Sequence, residues 1–228
     1  MSLHFIGTSH IARQSIQEIK RYITEEKPDI VAVELDVQRA AALMEKHPHK
    51  LSLGQVFQVG VRGYLFAKIG QYVQQKLGKM VGVSPGSEMK TALELARKQQ
   101  LKIALIDQPI AVTLRNFSRQ LTWREKARFV MDVVKGLLFP QRQLKELEIE
   151  QFDVRKVPEK ELIIKMMKPL RKRYPNVYKT LVEDRNKYMV RNLVKLMRQH
   201  PGKKILVVVG AGHVEGMQEL LLKVDVVK

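Results

Sequence analysis

Two apolar β-type runs at opposite ends of the chain stop on one pattern, a glycine followed three residues later by a histidine. Residues 3–10 read LHFIGTSH and residues 206–213 read LVVVGAGH. Runs this apolar suit strands buried on both faces, as in a parallel sheet covered by helices on each side. Two such strands, nearly the whole chain apart, are expected to be united by folding so that their histidines share one site.

The residues between them extend the same architecture. Ser9 is placed to cap a helix in which Ile11, Ile16, Ile19 and Ile23 recur at helical intervals. Pro28 ends that helix, and the β-branched run 29–35, DIVAVEL, follows. Strand, helix and strand within about thirty residues make a βαβ unit. Further strands are predicted near 102–107 and 204–210, with the first two near 3–7 and 29–35. From 109 to 200 the pattern predicts helices alone, separated near Pro140, Pro158, Pro169 and Pro175. The last strand is too apolar to stand outside the sheet begun by the first half. The expected fold class is therefore α/β over 1–228: a small, mostly parallel central sheet flanked by helices, with a large helical insertion at 109–200. Residues 51–83 stand apart, with six glycines among apolar residues and no acid. They read either as an amphipathic segment that rests on a membrane or covers a cleft, or as a glycine-thinned helix pair.

Cysteine is absent, which excludes disulfides and thiolate metal sites and leaves His, Asp and Glu as ligands. A formal charge of +18 attracts phosphates, in anionic headgroups or nucleic acid, unless it is simply a solvated surface. With aromatics at 6% and no recognition motif, no specific nucleic-acid partner is expected. No apolar run reaches the roughly 20 residues of a spanning helix, and no signal peptide is visible. The chain is expected to be cytoplasmic or peripheral to a membrane, or the soluble part of a membrane-anchored protein.

Ligands of an open parallel sheet collect beyond the carboxyl ends of its strands. His10, Glu34 with Asp36, Asp107 and His213 all fall there. Two imidazoles and a carboxylate suffice for a divalent cation that retains a water. Without metal, the same set performs acid–base work, with Glu34 orienting or deprotonating a histidine. Glu34 is the strongest single candidate, since a carboxylate ending an apolar strand is costly to bury without a partner. Glycine ahead of each histidine is expected to let the backbone approach an ion or substrate. The plainer alternatives are histidines as hydrogen-bonded turn residues, Asp107 as a helix cap, Asp36 paired with Arg39, and His47 and His49 exposed beside Pro48. Gly210, Gly212 and Gly216 imitate a dinucleotide fingerprint, but no βαβ unit follows, and that reading is rejected.

GTSH at 7–10, VAVELD at 31–36, PGSEM at 85–89, LIDQ at 105–108, LVEDRN at 181–186 and VVGAGH at 208–213, in that order, resemble the TraB/PrgY family. That family includes the Tiki proteins and is distantly like the erythromycin-esterase and ChaN-type folds. The resemblance covers essentially the whole chain and implies a metalloprotease-like site. Its metal ligands would be His10, His213 and Glu34, around a divalent Mn, Co or Zn ion. Glu88 and Asp36 would be general-base candidates, and Arg185 would steady an oxyanion or a carboxylate terminus. Arg39, Asp107 and Arg115 are the candidate substrate contacts. The ordinary alternatives are a first-turn acid complementing the helix dipole for Glu88, and a surface ion pair with Glu183 or Asp184 for Arg185. Where the family often has arginine after the LID strand, this chain has Gln108.

The leading expectation is a metal-dependent, peptidase-like hydrolase acting on a peptide. The alternative is a protein that sequesters a peptide without turnover, associated with a membrane surface. Expected partners are a peptide and an anionic membrane surface, with a homodimer also allowed.

Overall fold

The last strand of the chain lies inside the sheet, not at its edge. A computed structural model describes residues 2–8, 13–45, 86–138, 167–168 and 170–225. In it β1 (Ser2–Thr8), β2 (Ile30–Val33), β3 (Lys102–Leu105) and β4 (Lys204–Gly210) form one parallel sheet in the order β1-β4-β2-β3. The first two strands, joined through α1 (Arg13–Glu26), leave a gap one strand wide. β4 fills it, pairing Ser2 with Lys204 through Thr8 with Gly210 on one side and Ile30 with Ile205 through Val33 with Val208 on the other. This position explains the unbroken apolar run: Ile205, Leu206, Val207, Val208 and Val209 are all fully buried.

The helices are α2 (Val37–Met44), α3 (Ser87–Lys98), α4 (Ile110–Gln120), α5 (Trp123–Leu138), α6 (Pro175–Tyr178), α7 (Asp184–Gln199) and α8 (Ala211–Asp225). A π-helical turn, Lys179–Glu183, leads directly into α7. Described regular structure between β3 and β4 is helical throughout. The stretch 51–83, His47, His49, Pro140, Pro158 and Pro169 lie outside the described residues. Among the described residues no helix is long and apolar enough to cross a membrane.

Each face of the sheet has its own core. On one, Ile19 and Ile23 of α1 and Met89 and Leu93 of α3 pack with Val31, Val33 and Leu206. On the other, Met189 and Leu193 of α7 and Met217 of α8 pack with Ala32, Val207 and Val209. Each such Val, Leu, Ile or Met side chain contributes about 1.5–3 kcal/mol when fully buried. Strand alternation places 31, 33 and 35 toward α1 and α3, and 30, 32 and therefore 34 toward α7 and α8. That parity decides where Glu34 acts.

One of the ties among the helices ahead of α7 is the Glu125 carboxylate. Thr122 and Glu125 form a reciprocal capping box at the start of α5, Glu125 N donating to Thr122 Oγ1 and Thr122 N to Glu125 Oε2, each at 3.2 Å. The same carboxylate accepts from the backbone N and side-chain Nδ2 of Asn176 on α6, each at 2.9 Å. Burial opposes the charge on Glu125, but the donors of Asn176 and Thr122 outweigh it and hold its pKa below the usual glutamate range. A depressed folded pKa contributes stability above the unfolded value, about 4.3, that disappears as pH falls through the folded one. Glu125→Gln is therefore expected to lower the urea midpoint at about pH 7, by an amount that shrinks as pH falls through the folded pKa. A gap that persists in acid would contradict the tether.

Candidate functional site

Glu34 follows β2, and its N–H still donates to Val208 O at 3.0 Å, so the ladder runs one residue past the strand. Its side chain emerges beneath α7 and α8. Oε2 accepts from Gly210 N at 2.5 Å, at the point where β4 passes straight into α8. Oε1 is paired with Arg185 Nη2. One carboxylate thus joins β2, β4 and α7.

Arg185, the second residue of α7, spends its donors on every side. Nε and Nη2 donate to Asp107 Oδ1 and Oδ2 at 3.1 and 2.7 Å. Nη1 donates to Leu181 O in the π-helical turn at 3.3 Å and lies 3.1 Å from His213 Nε2. The side chains of Arg185, Glu34 and Asp107 are 14%, 4% and 1% exposed, so these are buried charges. Burial disfavours the guanidinium cation, but Glu34 and Asp107 prevail and raise its pKa above the usual arginine value.

The charge line continues outward. Asp107 also pairs with Arg39 Nη2, and Arg39 Nε reaches Asp36 Oδ2 at 3.0 Å. Asp36 caps α2, its Oδ1 accepting from Gln38 N and Arg39 N at 2.8 and 3.0 Å. Its Oδ2 accepts from Ile110 N, at the start of α4, at 3.2 Å. Asp36, Arg39, Asp107, Arg185 and Glu34 alternate in sign, and three carboxylates against two guanidiniums leave one negative charge in excess.

His213 completes the group from the first turn of α8. Its Nδ1 lies 2.6 Å from Asn186 Oδ1, and its Nε2 is 3.4 Å from Glu34 Oε1. An amide oxygen only accepts, so Nδ1 donates to it, while Nε2 faces the Arg185 Nη1 donor at 3.1 Å and so presents its lone pair. Asn186 is buried beside Gly216, where an added Cβ would collide with the Asn186 amide nitrogen.

Several sequence expectations meet their outcome here. β1 and β4 do lie side by side, with Thr8 opposite Gly210. His10 itself lies outside the described residues. Glu88 is buried in the first turn of α3, a helix packed against α1, β2 and β3. Arg115 is exposed on α4 and makes no bond to the group among the described residues. Asp107 is not the cap of α4. Its oxygens are engaged by Arg185, Arg39 and Gln108 N, while Asp36 takes the Ile110 N–H. Arg185 does not form a surface pair, because Asp184 pairs with Lys179 at 2.9 Å and Glu183 with Arg171 at 3.4 Å. Gln108 is buried, donating to Thr113 Oγ1 at 2.7 Å.

At Gly7 the absent side chain serves packing. A Cβ on Gly7 would stand 2.9 Å from Val214 Cγ2 and 3.2 Å from Ala211 Cα, so Gly7 admits α8 against β1. Gly210 approaches the Glu34 carboxylate through its own N–H. Asn186 was assigned no role from sequence, although it shares a helical stripe with buried Met189, Val190 and Leu193. Among the described residues no group of three His, Asp or Glu is disposed to hold a metal. Glu34 and His213 supply two such donors side by side.

The TraB/PrgY/gumN family matches residues 2–224. The chain is 34% identical over 228 residues to the uncharacterized protein MJ1365 of Methanocaldococcus jannaschii, covering 98% of this chain and 54% of that one. It is 26% identical over 245 residues to the human TraB domain-containing protein, covering 95% of this chain and 62% of that one. It thus spans less than two thirds of the length of these relatives. Among solved structures, an erythromycin esterase mutant, EreC, in its open conformation aligns with a TM-score of 0.38 at 13% identity, over 96% of this chain and 66% of that one. Matched over nearly its whole length, the chain belongs to the TraB/PrgY/gumN family.

Proposed function

We propose that this domain is a metal-dependent, peptidase-like hydrolase acting on a peptide, with Glu34, His213 and His10 as metal ligands and Arg185 beside them. The observation that carries the reading is the 3.4 Å separation of Glu34 Oε1 and His213 Nε2 on a buried rim. Two donors each about 2.1 Å from one ion at a tetrahedral angle stand about 3.4 Å apart. Asn186 at Nδ1 leaves the Nε2 lone pair facing Glu34, the outer-shell arrangement usual for a metal-bound histidine. The excess negative charge of the line favours a cation. Glu34 and His213 are donor types that a divalent ion takes, and the proposal adds His10 as the third ligand. When bound, such an ion supplies Lewis acidity and a water of lowered pKa.

The protein's own groups then divide the remaining work. Arg185 contacts the same two donor atoms, so it withdraws toward Asp107 for those atoms to serve a ligand. Held by its two bonds to Asp107, the guanidinium steadies charge developing on a scissile carbonyl oxygen. Arg39, a third exposed at the outer end of the line, is placed to hold a peptide carboxylate. Asp36 is committed to its cap and supports Arg39. Glu88 sits on α3, which packs on the other face of the sheet from Glu34, so neither acid is assigned the general-base role.

Calorimetric titration with Mn, Co and Zn chlorides tests the reading. One site per chain is expected, weakened about tenfold or more by His213→Ala or Glu34→Ala. No binding by wild type overturns it. A second reading, peptide sequestration without turnover, is favoured by the hold of Arg185 on both donor atoms. Incubation with a diverse peptide pool separates the two, since a hydrolase releases fragments while a sequestering protein only depletes intact peptides.

A further inference from the structure

The two helices that carry Asn186 and His213 meet at those residues. At their N-terminal ends α7 and α8 are tied by the Asn186–His213 bond and by the close approach at Gly216. Farther along they frame an open trough of about 540 Å³. Its floor is apolar, with Val194 from α7 and Leu220 from α8. Its wall is basic: Lys187, Arg191, Lys195 and Arg198 all line it. Their spacing of four, four and three residues puts them on a single edge of α7, over about 16 Å at 1.5 Å per residue. All four are exposed, and none forms an ion pair among the described residues. Like charges one turn apart cost a few tenths of a kcal/mol per pair. The row therefore contributes nothing to the fold that would account for it.

We propose that this trough is a docking site for an acidic amphipathic helix of a partner protein. Its apolar face would lie on Val194 and Leu220, and its acids would run along the basic edge. Cations repeated at successive helical turns are the complement of acids repeated at the same interval. A flat bilayer meets this surface poorly, because the apolar floor is recessed between two helices. Nucleic acid meets it poorly as well, because none of the lining residues is aromatic and bases have nothing to stack on. The trough lies apart from Glu34, Arg185 and Asp107, and docking there does not depend on hydrolysis at the rim.

The test is fluorescence anisotropy on the full chain, with a labelled Leu/Glu peptide bearing glutamates at i, i+4, i+8 and i+11 and a continuous leucine stripe. The comparison is a scrambled peptide of the same composition. Wild type is expected to bind the patterned peptide at least tenfold more tightly than the scrambled one. The double variant Arg191→Glu, Lys195→Glu, changed only at exposed positions, is expected to lose at least tenfold. It should regain affinity for a Leu/Lys version of the patterned peptide. Equal binding of patterned and scrambled peptides overturns the proposal, as does indifference to the charge reversal. Displacement of the patterned peptide by phosphatidylglycerol vesicles also overturns it, and identifies the trough as a lipid site.

Discussion

Replacing Arg185 with methionine is expected to lower the unfolding free energy by about 3–5 kcal/mol, the range for removing one partner from a buried ion pair. Methionine keeps the length of the side chain and loses every donor. Glu34 then retains Gly210 N, and Asp107 retains Arg39, but two buried carboxylates face each other without the cation between them. The cost therefore lies in stranded charge more than in lost contact. Glu34→Gln makes this separable. In wild type it is harmful, because both carboxylate oxygens accept, one from Arg185 and one from Gly210, so an amide must turn its NH2 toward a donor. In the Arg185→Met background the same change removes a stranded charge and is expected to restore about half the loss. A substitution that changes sign between backgrounds measures the coupling directly. Urea denaturation of the four proteins reads it. The pKa of Arg185 is raised, so its contribution is complete wherever an unfolded arginine is charged, and fades only as pH climbs through the folded value. The deficit of Arg185→Met should accordingly be flat between about pH 6 and 10. A loss under about 1 kcal/mol would mean that the guanidinium does not hold these carboxylates in place.

The features legible in the sequence are those set by local pattern. The unbroken β-branched runs around Val31 and Val207 identify strands buried on both faces, and both proved to be interior strands. Period-two alternation then fixes the side on which Glu34 emerges, and a carboxylate ending such a run already signals a partner. The identity of that partner is a different kind of information. Counting along the helix offers Arg185 the acids Glu183 and Asp184, yet Arg171 and Lys179 take those acids. Arg185 is left for Glu34 and Asp107, 151 and 78 residues away. Only the insertion of β4 between β1 and β2 brings these ends together, and no local propensity encodes that order. The glycines show the same limit. Their small size is plain in the sequence, but that the space at Gly7 takes Val214 and Ala211 depends on which helix arrives there.

Gly216→Ala is expected to destabilise this protein, although the same change inside an ordinary helix stabilises by roughly 0.8–1.0 kcal/mol. Gly216 lies within α8, one turn beyond His213, and a Cβ there lands on the amide nitrogen of buried Asn186. Asn186 cannot yield freely, because its Oδ1 holds His213 Nδ1 at 2.6 Å. Any displacement releases the imidazole, which then no longer presents Nε2 to Glu34. Asn186→Ala removes the same restraint chemically, leaving the Nδ1–H without its acceptor at a cost of about 1–3 kcal/mol. On the proposed metal reading, both variants are expected to bind divalent metal about 10–100-fold more weakly, the usual penalty for loss of the group that orients a ligating histidine. The decisive measurement is the pair combined. With Asn186 already alanine, the side chain that Gly216→Ala would strike is gone, and helix propensity alone remains. Gly216→Ala should then turn from destabilising to neutral or stabilising. Thermal or urea unfolding of the single and double variants shows whether the sign reverses. Outright stabilisation of wild type by Gly216→Ala would mean that α7 and α8 are not in tight contact at Asn186, and that His213 is positioned by something else.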